Sequence, residues 1–172
     1  MLARSRLVIK ALDVGGYLRV PWVIAVILAS FFANRSGVLF LPLADWVSYP
    51  LCALLAILGT VILALGMKAC PLRVISGRDT SVLVTQGIYS HIRHPICLSC
   101  VLLAFSAAIG FESVVGLMVA ILSLIVAYLR ALLWEERELE RRFGSEYDEY
   151  KRKVGMFIPK PSSTWNKFRQ SR

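Results

Sequence analysis

The sequence predicts an all-α fold: a polytopic membrane helical bundle of about four spans, followed by a cytoplasmic C-terminal helical segment. Three observations support this class. The 172 residues are 57% hydrophobic, and the apolar residues form long runs, unlike the spaced stripe of a soluble amphipathic helix. The formal net charge is +9, and the basic residues cluster between and after the runs. The chain changes abruptly from apolar to charged after Leu133.

A chain of this length is expected to form one domain, residues 1–172. Composition divides it into three parts. Residues 1–67 hold the N-terminal spans, residues 68–160 carry the polar motifs, and residues 161–172 form a basic tail. The sequence does not indicate the oligomeric state.

The N-terminal part begins with a basic lead and an apolar run at 18–33. This run is expected to be an uncleaved span, because no small-residue cleavage site follows it. Residues 38–46 include Pro42 and Asp45 among apolar residues, which favours a position at or in the membrane interface. The next apolar run, 47–67, is predicted to be the second span.

The second half of the chain begins with a polar connection over 68–93, after which Pro95 suits the first turn of a new helix. That helix, 96–110, is short against the ~20 residues that a span requires. A turn at 111–113 leads to a full-length fourth span at 113–133. The helix is expected to continue into water until Gly144 ends or bends it, and a further short helix follows.

The distribution of positive charge predicts the topology. Of the 20 Lys and Arg residues, only Arg35 falls on the far side of a four-span arrangement. The positive-inside rule therefore places both termini and the 68–95 connection in the cytoplasm, together with any site that this connection forms. Anionic lipid headgroups explain the basic excess better than nucleic acid does. Membrane lipids are accordingly the expected partners, and no nucleic-acid partner is predicted.

Two polar stretches stand out, at 87–95 and 130–150. A pair of antiparallel helices joins them, so both are expected at the same end of that pair and close in space. The candidate side chains are Tyr89, Arg93, His94, Arg130, Glu135 and Glu136. Each has an ordinary explanation alone, such as an interfacial anchor or a snorkelling arginine. Together they favour a site for a charged cofactor at the water boundary, with a lipid-like substrate arriving from the bilayer.

The cysteines raise a different possibility. Cys97 and Cys100 have the spacing of a redox pair, and His94 precedes them by one helical turn. However, the strand expected before a redox motif and the further ligands of a zinc site are missing. We therefore predict small residues at a helix interface, and no metal.

At this point the motifs resemble a known family. They are Leu83-Val84-Thr85-Gln86-Gly87-Ile88-Tyr89, Arg93-His94-Pro95, Glu135-Glu136 with Leu139, Phe143-Gly144, Glu146-Tyr147 and Tyr150. This pattern, over roughly 55–160, resembles the isoprenylcysteine carboxyl methyltransferases and their phospholipid methyltransferase relatives. The resemblance implies an integral membrane enzyme that uses S-adenosyl-L-methionine without a Rossmann domain, and makes 68–160 a methyltransferase-like cofactor-binding core. The absence of a strand–glycine–helix dinucleotide motif fits this.

The resemblance also implies roles for individual residues. It places the cofactor against the following residues, with mainly backbone contacts at the first four: Ser81, Val82, Leu83, Val84, Tyr89, His94, Pro95, Ile96, Cys97 and Glu135. Arg130 stands near the family's substrate arginine and would be the catalytic residue. Cys97 occupies a position where the family commonly has tyrosine.

The implied acceptor is lipid-like or prenylated, or a lipid-anchored small molecule. A carboxylate acceptor is already ionised at neutral pH, whereas an amine or thiol must lose a proton, for which His94 is the nearest base. Two other functions stay open. Sterol-reductase relatives share the R-H-P region and use NADPH, although they are usually much longer, and a non-enzymatic membrane scaffold could retain a decayed motif.

Overall fold

A computed structural model of the chain describes residues 19–37, 41, 43–70 and 82–160. Over these residues it is helical and contains no strand beyond one isolated bridge, which confirms the predicted all-α class. The helices are α1 (Arg19–Arg35), α2 (Asp45–Ala69), α3 (Pro95–Gly110), α4 (Val114–Arg130), α5 (Glu136–Phe143) and α6 (Ser145–Lys153). A 3-10 turn occupies Gly87–Ser90, and a π-helical turn at Ala131–Glu135 joins α4 to α5.

Several predicted segments lie outside the described residues. These are the basic lead before residue 19, residues 38–40 and 42 of the 38–46 interface segment, residues 71–81 of the polar connection, and the tail from 161 onward. Where the interface segment is described, its last two residues, Asp45 and Trp46, already belong to α2. The second helix thus begins two residues earlier than predicted, and it extends through Lys68 to Ala69.

Two helices are long and apolar enough to cross a membrane: Asp45–Ala69, with 25 residues, and the continuous helix Val114–Phe143, with 30. The other two apolar helices, Pro21–Arg35 and Pro95–Gly110, fall short of a full span. Four spans are therefore not established by helix length. Large apolar side chains of α2 and α4, such as Ile57 and Met118, are more than 60% exposed. Such a surface requires lipid or another apolar covering.

Helix α3 lies at the centre of the bundle and runs antiparallel to α2. Gly66, near the end of α2, faces Pro95 and Ile96 at the start of α3. At the opposite end of the pair, the Ser106 hydroxyl donates to the Cys52 carbonyl at 2.9 Å. Small residues at such contacts let the two backbones approach closely, as in other helix pairs that associate within membranes.

Helices α1 and α4 pair in the same antiparallel sense. The Trp22 indole N–H at the start of α1 donates to the Ser123 hydroxyl of α4 at 2.7 Å. Further along α1, Ser30 is fully buried against Gly116, near the start of α4. The start of α1, the end of α2, the start of α3 and the end of α4 consequently share one end of the bundle, which we call the motif end.

Gly116 marks the tightest helix contact, and we expect Gly116→Ala to destabilise the protein. A Cβ at this position would lie 2.2 Å from the Ser30 hydroxyl oxygen and 3.2 Å from the Ala108 Cα. Overpacking typically costs ~1–3 kcal/mol, which exceeds the gain of up to ~1 kcal/mol in helix propensity. Thermal unfolding in detergent, followed by circular dichroism, should show a lower midpoint.

Gly66→Ala is the matched control for this substitution. The added Cβ there would approach no atom more closely than 3.2 Å, and that atom is the Ile96 side-chain Cγ1. Its unfolding midpoint should stay at or slightly above that of the wild type. Equal destabilisation by both substitutions would contradict the packing assigned to Gly116.

Candidate functional site

The two polar stretches meet at the motif end, as the sequence predicts. Arg93 and His94 directly precede α3, while Glu135 and Glu136 follow α4. The His94 Nδ1 lies 3.2 Å from a Glu135 carboxylate oxygen, and the His94 Nε2 lies 3.6 Å from Glu136 Oε1. The imidazole is therefore held between two carboxylates from the far side of the hairpin.

Glu136 is the centre of a buried charge cluster. Its side chain is 1% exposed, and it forms ion pairs with Arg93, whose side chain is 8% exposed, and with Lys151, whose Nζ lies 3.1 Å from Oε2. Lys151 also pairs with Glu140 at 2.6 Å. A buried carboxylate is tolerated only with such compensation. The cluster thus ties the residues before α3 to both helices that follow the hairpin.

Electrostatics shift the pKa values within this cluster. Burial opposes the charged form of His94, but the neighbouring Glu135 and Glu136 carboxylates outweigh it and raise the His94 pKa. Burial would likewise raise the Glu136 pKa, yet its interaction with His94 and the positive charges of Arg93 and Lys151 lower it to about 2. The Glu136 carboxylate is therefore ionised across the physiological range.

The cluster retains unused hydrogen-bonding capacity. Among the described residues, four buried side-chain atoms have no hydrogen-bond partner of good geometry: Arg93 Nε, His94 Nε2, Glu136 Oε1 and Glu136 Oε2. Charged neighbours partly compensate for all three residues that carry these atoms, but ion pairing without a directed hydrogen bond leaves polar capacity open. Such atoms in a buried cluster are a feature of functional sites.

The π-helical turn aligns Arg130 with Glu135. The Arg130 Nη2 donates to a Glu135 carboxylate oxygen at 3.2 Å, although the two residues are five apart. At 3.6 residues per turn an α-helix would place them on different sides, whereas the wider π turn brings residues at this spacing towards the same face. The sequence predicted a continuous helix here and did not reveal the π turn.

The C-terminal segment closes one side of the site. The backbone N–H groups of Arg93 and His94 donate to the carbonyls of Gly155 and Met156 at 2.9 and 3.2 Å. The Phe157 ring stands edge-on to the His94 ring, with 6.2 Å between centroids. Backbone pairing of this kind fixes the histidine at the start of α3 without using its ring nitrogens, which face Glu135 and Glu136.

The two tyrosines of α6, Tyr147 and Tyr150, pack against the same region. The Tyr150 hydroxyl donates to the Tyr89 carbonyl at 2.6 Å, and Tyr147 is fully buried beside Arg93. Burial, together with the Glu136 charge, raises the pKa of Tyr147 to about 12. Burial also raises the pKa of Tyr150, so both phenols stay protonated and act as fixed supports of the motif.

The residues predicted to contact a cofactor occupy three places. Val82, Leu83 and Val84 lie outside the helices, in the segment that leads into the 3-10 turn containing Tyr89, and Val82 is more than half exposed. Gly87 opens that turn with φ +61°, a backbone conformation that favours glycine. Ser81 lies outside the described residues.

The remaining predicted residues lie at the start of α3 and at the end of α4. Pro95 and Cys97 are buried, and Ile96 packs against Gly66. Among all these positions, the structure brings the ligand-type atoms of His94, Cys97 and Glu135 within 4.8 Å of one another.

Sequence reasoning undervalued three residues. The sequence names Glu136 as a candidate but assigns it no role. It does not predict that Lys151 pairs with Glu136, or that Arg93 donates to the Tyr147 hydroxyl. The adjacent Glu135 and Glu136, directly after an apolar run, could have indicated a buried carboxylate. Where two helices meet, only one of two neighbouring positions can face solvent fully. The partners of Glu136 could not be read from the sequence.

Comparisons with known proteins place the chain among membrane methyltransferases. The sequence profile of the phospholipid methyltransferase family matches residues 43–146. Methanethiol S-methyltransferase 2 of Bradyrhizobium diazoefficiens is 37% identical over 76 residues, which cover 44% of this chain and 28% of that protein.

Two further similar proteins carry names from metal resistance. A cobalt-zinc-cadmium resistance protein of Cupriavidus metallidurans is 35% identical over 125 residues, covering 70% of this chain and 56% of its own length. A nickel-cobalt-cadmium resistance protein of Alcaligenes xylosoxydans is 31% identical over 117 residues, covering 68% and 54%. The chain thus spans about half the length of these two relatives, and their names specify no reaction.

Proposed function

The chain belongs to the phospholipid methyltransferase family, and on that premise we propose that it transfers a methyl group from S-adenosyl-L-methionine to a lipid or lipid-anchored small acceptor. One observation carries the proposal. The α3–α4 hairpin brings Glu135 to 3.2 Å from His94 and 3.2 Å from Arg130 at the end of two apolar helices. A charged cofactor and a lipid-borne acceptor can meet only at such a boundary.

The cofactor is proposed to occupy the surface between the 82–84 segment and the start of α3. Its sulfonium is a cation, which a carboxylate and an aromatic face both stabilise. Glu135 supplies the carboxylate and Tyr89 the aromatic ring, while Ser81, Val82, Leu83 and Val84 supply backbone groups. His94, Pro95, Ile96 and Cys97 complete the contacts at the start of α3.

The reaction is an in-line displacement. The bond from the acceptor atom to the methyl carbon forms as the sulfur–methyl bond breaks, and S-adenosylhomocysteine leaves with the electron pair. Alignment can supply a large part of the acceleration. Arg130 is proposed to orient the acceptor, since a guanidinium can bind a carboxylate bidentately. An amine or thiol acceptor would also give up one proton, and His94 is the nearest base that could accept it.

The location of the site supports a hydrophobic acceptor. Tyr128 and Leu129 on α4, next to Arg130, are each 45% exposed and present apolar surface beside the arginine. A hydrophobic acceptor could approach along this surface and leave only its reactive head at the charge cluster. The thiol in the name of the Bradyrhizobium relative makes a sulfur acceptor one of the classes to test.

Methyl transfer from labelled cofactor tests the proposal. Purified protein in lipid vesicles should label one acceptor class from a panel of a prenylated cysteine carboxylate, an aminophospholipid and a small thiol. Labelling of one class identifies the acceptor atom. If the protein binds NADPH and no S-adenosylmethionine, the reductase function replaces the proposal, and binding of neither cofactor would favour the scaffold.

The proposed orientation has four membrane crossings, with both termini and the site in the cytoplasm. It accounts for the position of 19 of the 20 basic residues on one side. The 111–113 turn, where Ser48 donates to a Glu112 carboxylate oxygen at 3.2 Å, would then face the opposite compartment. If α1 and α3 cross, the bilayer must adapt to helices of 16–17 residues.

A cysteine at the 111–113 turn tests this orientation. Glu112→Cys should react with a membrane-impermeant maleimide added outside intact cells, because the turn is the predicted external loop. Arg152→Cys, on the exposed face of α6, should react only after the membrane is opened. The reverse pattern of labelling would invert the orientation and move the site to the outer face.

A further inference from the structure

The proposed cofactor site also has the construction of a metal site. One imidazole nitrogen of His94, the Cys97 sulfur and one Glu135 carboxylate oxygen lie within 4.8 Å of one another. Ligand atoms around a tetrahedral zinc ion are about 3.3–3.8 Å apart, given metal–ligand distances of about 2.0–2.3 Å. Side-chain adjustments of about 1.5 Å or less would therefore complete the set.

The three ligands come from fixed positions. His94 precedes α3 and Cys97 lies one turn into it, so helical spacing puts both on one face. Glu135 reaches them from the π turn, at 3.2 Å from His94 Nδ1. Two of the three residues, His94 and Cys97, are buried. The group therefore differs from the exposed acidic clusters that form by chance on a protein surface.

The surroundings of His94 complete the arrangement. If Nδ1 faces the ion together with Glu135, Nε2 points to the Glu136 carboxylate at 3.6 Å. Nε2 is buried and has no hydrogen-bond partner in the described part of the chain. In most metal sites the second imidazole nitrogen donates to a carboxylate, which fixes the orientation of the ring. Glu136 is in turn held by Arg93 and Lys151.

The chemistry of the ligands selects the ion. A thiolate and an imidazole favour zinc, cobalt or cadmium over magnesium and calcium, which prefer oxygen ligands alone. Three protein ligands leave a fourth position open, as in zinc sites that bind an exogenous molecule. The sequence predicted no metal because it offered only the His94 and cysteine positions, and Glu135 lies 38 residues beyond Cys97 in the chain.

We propose that His94, Cys97 and Glu135 bind a thiophilic divalent cation, and that this ion and the methyl donor exclude each other. The second half of the proposal rests on the proposed function. The same three side chains contact the cofactor there, and the sulfonium and the metal ion both require the Glu135 carboxylate. Rising concentrations of such a metal would accordingly turn methyl transfer off.

Cobalt(II) is a suitable probe because its spectrum reports the ligands. The full chain, purified in detergent without cofactor and treated with a chelator, should develop a thiolate-to-cobalt charge-transfer band on titration. Cys97→Ser should lose the band, whereas Cys100→Ser, one turn further along α3, should keep it. No band in the wild type, or a band that survives Cys97→Ser, would overturn the metal site.

A second measurement needs no variant and covers the case in which Cys97→Ser does not fold. X-ray absorption at the cobalt edge of the wild-type protein should show one sulfur neighbour, with nitrogen or oxygen atoms at the other positions. A first shell without sulfur would overturn the assignment of Cys97.

Competition tests the exclusion. Adding S-adenosylmethionine to the cobalt-loaded protein should abolish the charge-transfer band, and cobalt should raise the apparent Kd of the cofactor in proportion to its concentration. Simultaneous binding would overturn the exclusion and leave the metal site standing. If the metal-free protein binds no cofactor, the proposed function and the exclusion both fail, while the cobalt band still decides the metal site.

Discussion

Glu136→Ala should be the most destabilising single substitution in the charge cluster. It removes the negative charge that compensates Arg93, His94 and Lys151, and it leaves the first two of these cations buried. Removing one partner of a buried ion pair typically costs ~3–5 kcal/mol. The midpoint of thermal unfolding in detergent should fall accordingly. Residues 155–156, whose carbonyls accept hydrogen bonds from Arg93 and His94, should become accessible to protease.

Glu138→Ala provides the control on the same helix. Glu138 also pairs with an arginine, Arg142, at 2.7 Å, but this pair is an i,i+4 contact within α5 whose side chains are 16% and 21% exposed. Partly exposed helix pairs of this kind contribute about 0.3–0.5 kcal/mol. A loss in Glu136→Ala no larger than the loss in Glu138→Ala would contradict the central position given to Glu136.

Arg130→Lys should abolish most methyl transfer while preserving the fold and cofactor binding. Lysine keeps the positive charge beside Glu135, which Arg130 contacts at 3.2 Å. It cannot reproduce the planar fork that would orient the acceptor. A misplacement of about 1 Å in a reacting group can cost roughly a hundredfold in rate. Single-turnover methyl transfer at saturating cofactor measures this loss.

Arg130 has a second explanation, in which it snorkels from the membrane and serves only as the counter-ion of Glu135. The lysine variant distinguishes the two, because lysine can snorkel and can pair with a carboxylate. Single-turnover rates close to wild type would leave Arg130 with the structural role alone. Arg137→Lys is the control on the exposed side of α5 and should leave the rate unchanged.

The proximity of the two motifs was accessible from the sequence because it depends on topology alone. A hairpin of two apolar helices returns the chain to where it started, so residues before α3 must lie near residues after α4. The sequence also predicted the helix break at Gly144, because glycine favours backbone conformations that end a helix. In the structure Gly144 has φ +53° and separates α5 from α6.

The details that give the site its chemistry depend on side-chain positions and were not predictable. The π turn adds no recognisable residue to the sequence, yet it aligns Arg130 with Glu135. The choice of Glu136 over Glu135 as the fully buried carboxylate depends on Lys151, which reaches it from α6. Cys97 was assigned to a helix interface because its distance from Glu135 is a property of the folded hairpin.

Calorimetric titration with S-adenosylmethionine tests the central claim most directly. The wild-type protein, free of metal, should bind the cofactor, and Glu135→Ala should bind it roughly ten- to a hundredfold more weakly, because ~1–3 kcal/mol is lost with one polar partner of a partly desolvated cation. Glu138→Ala should match the wild type. Undetectable binding to the wild type, or equal affinity in Glu135→Ala, would contradict the claim that the hairpin forms a cofactor site.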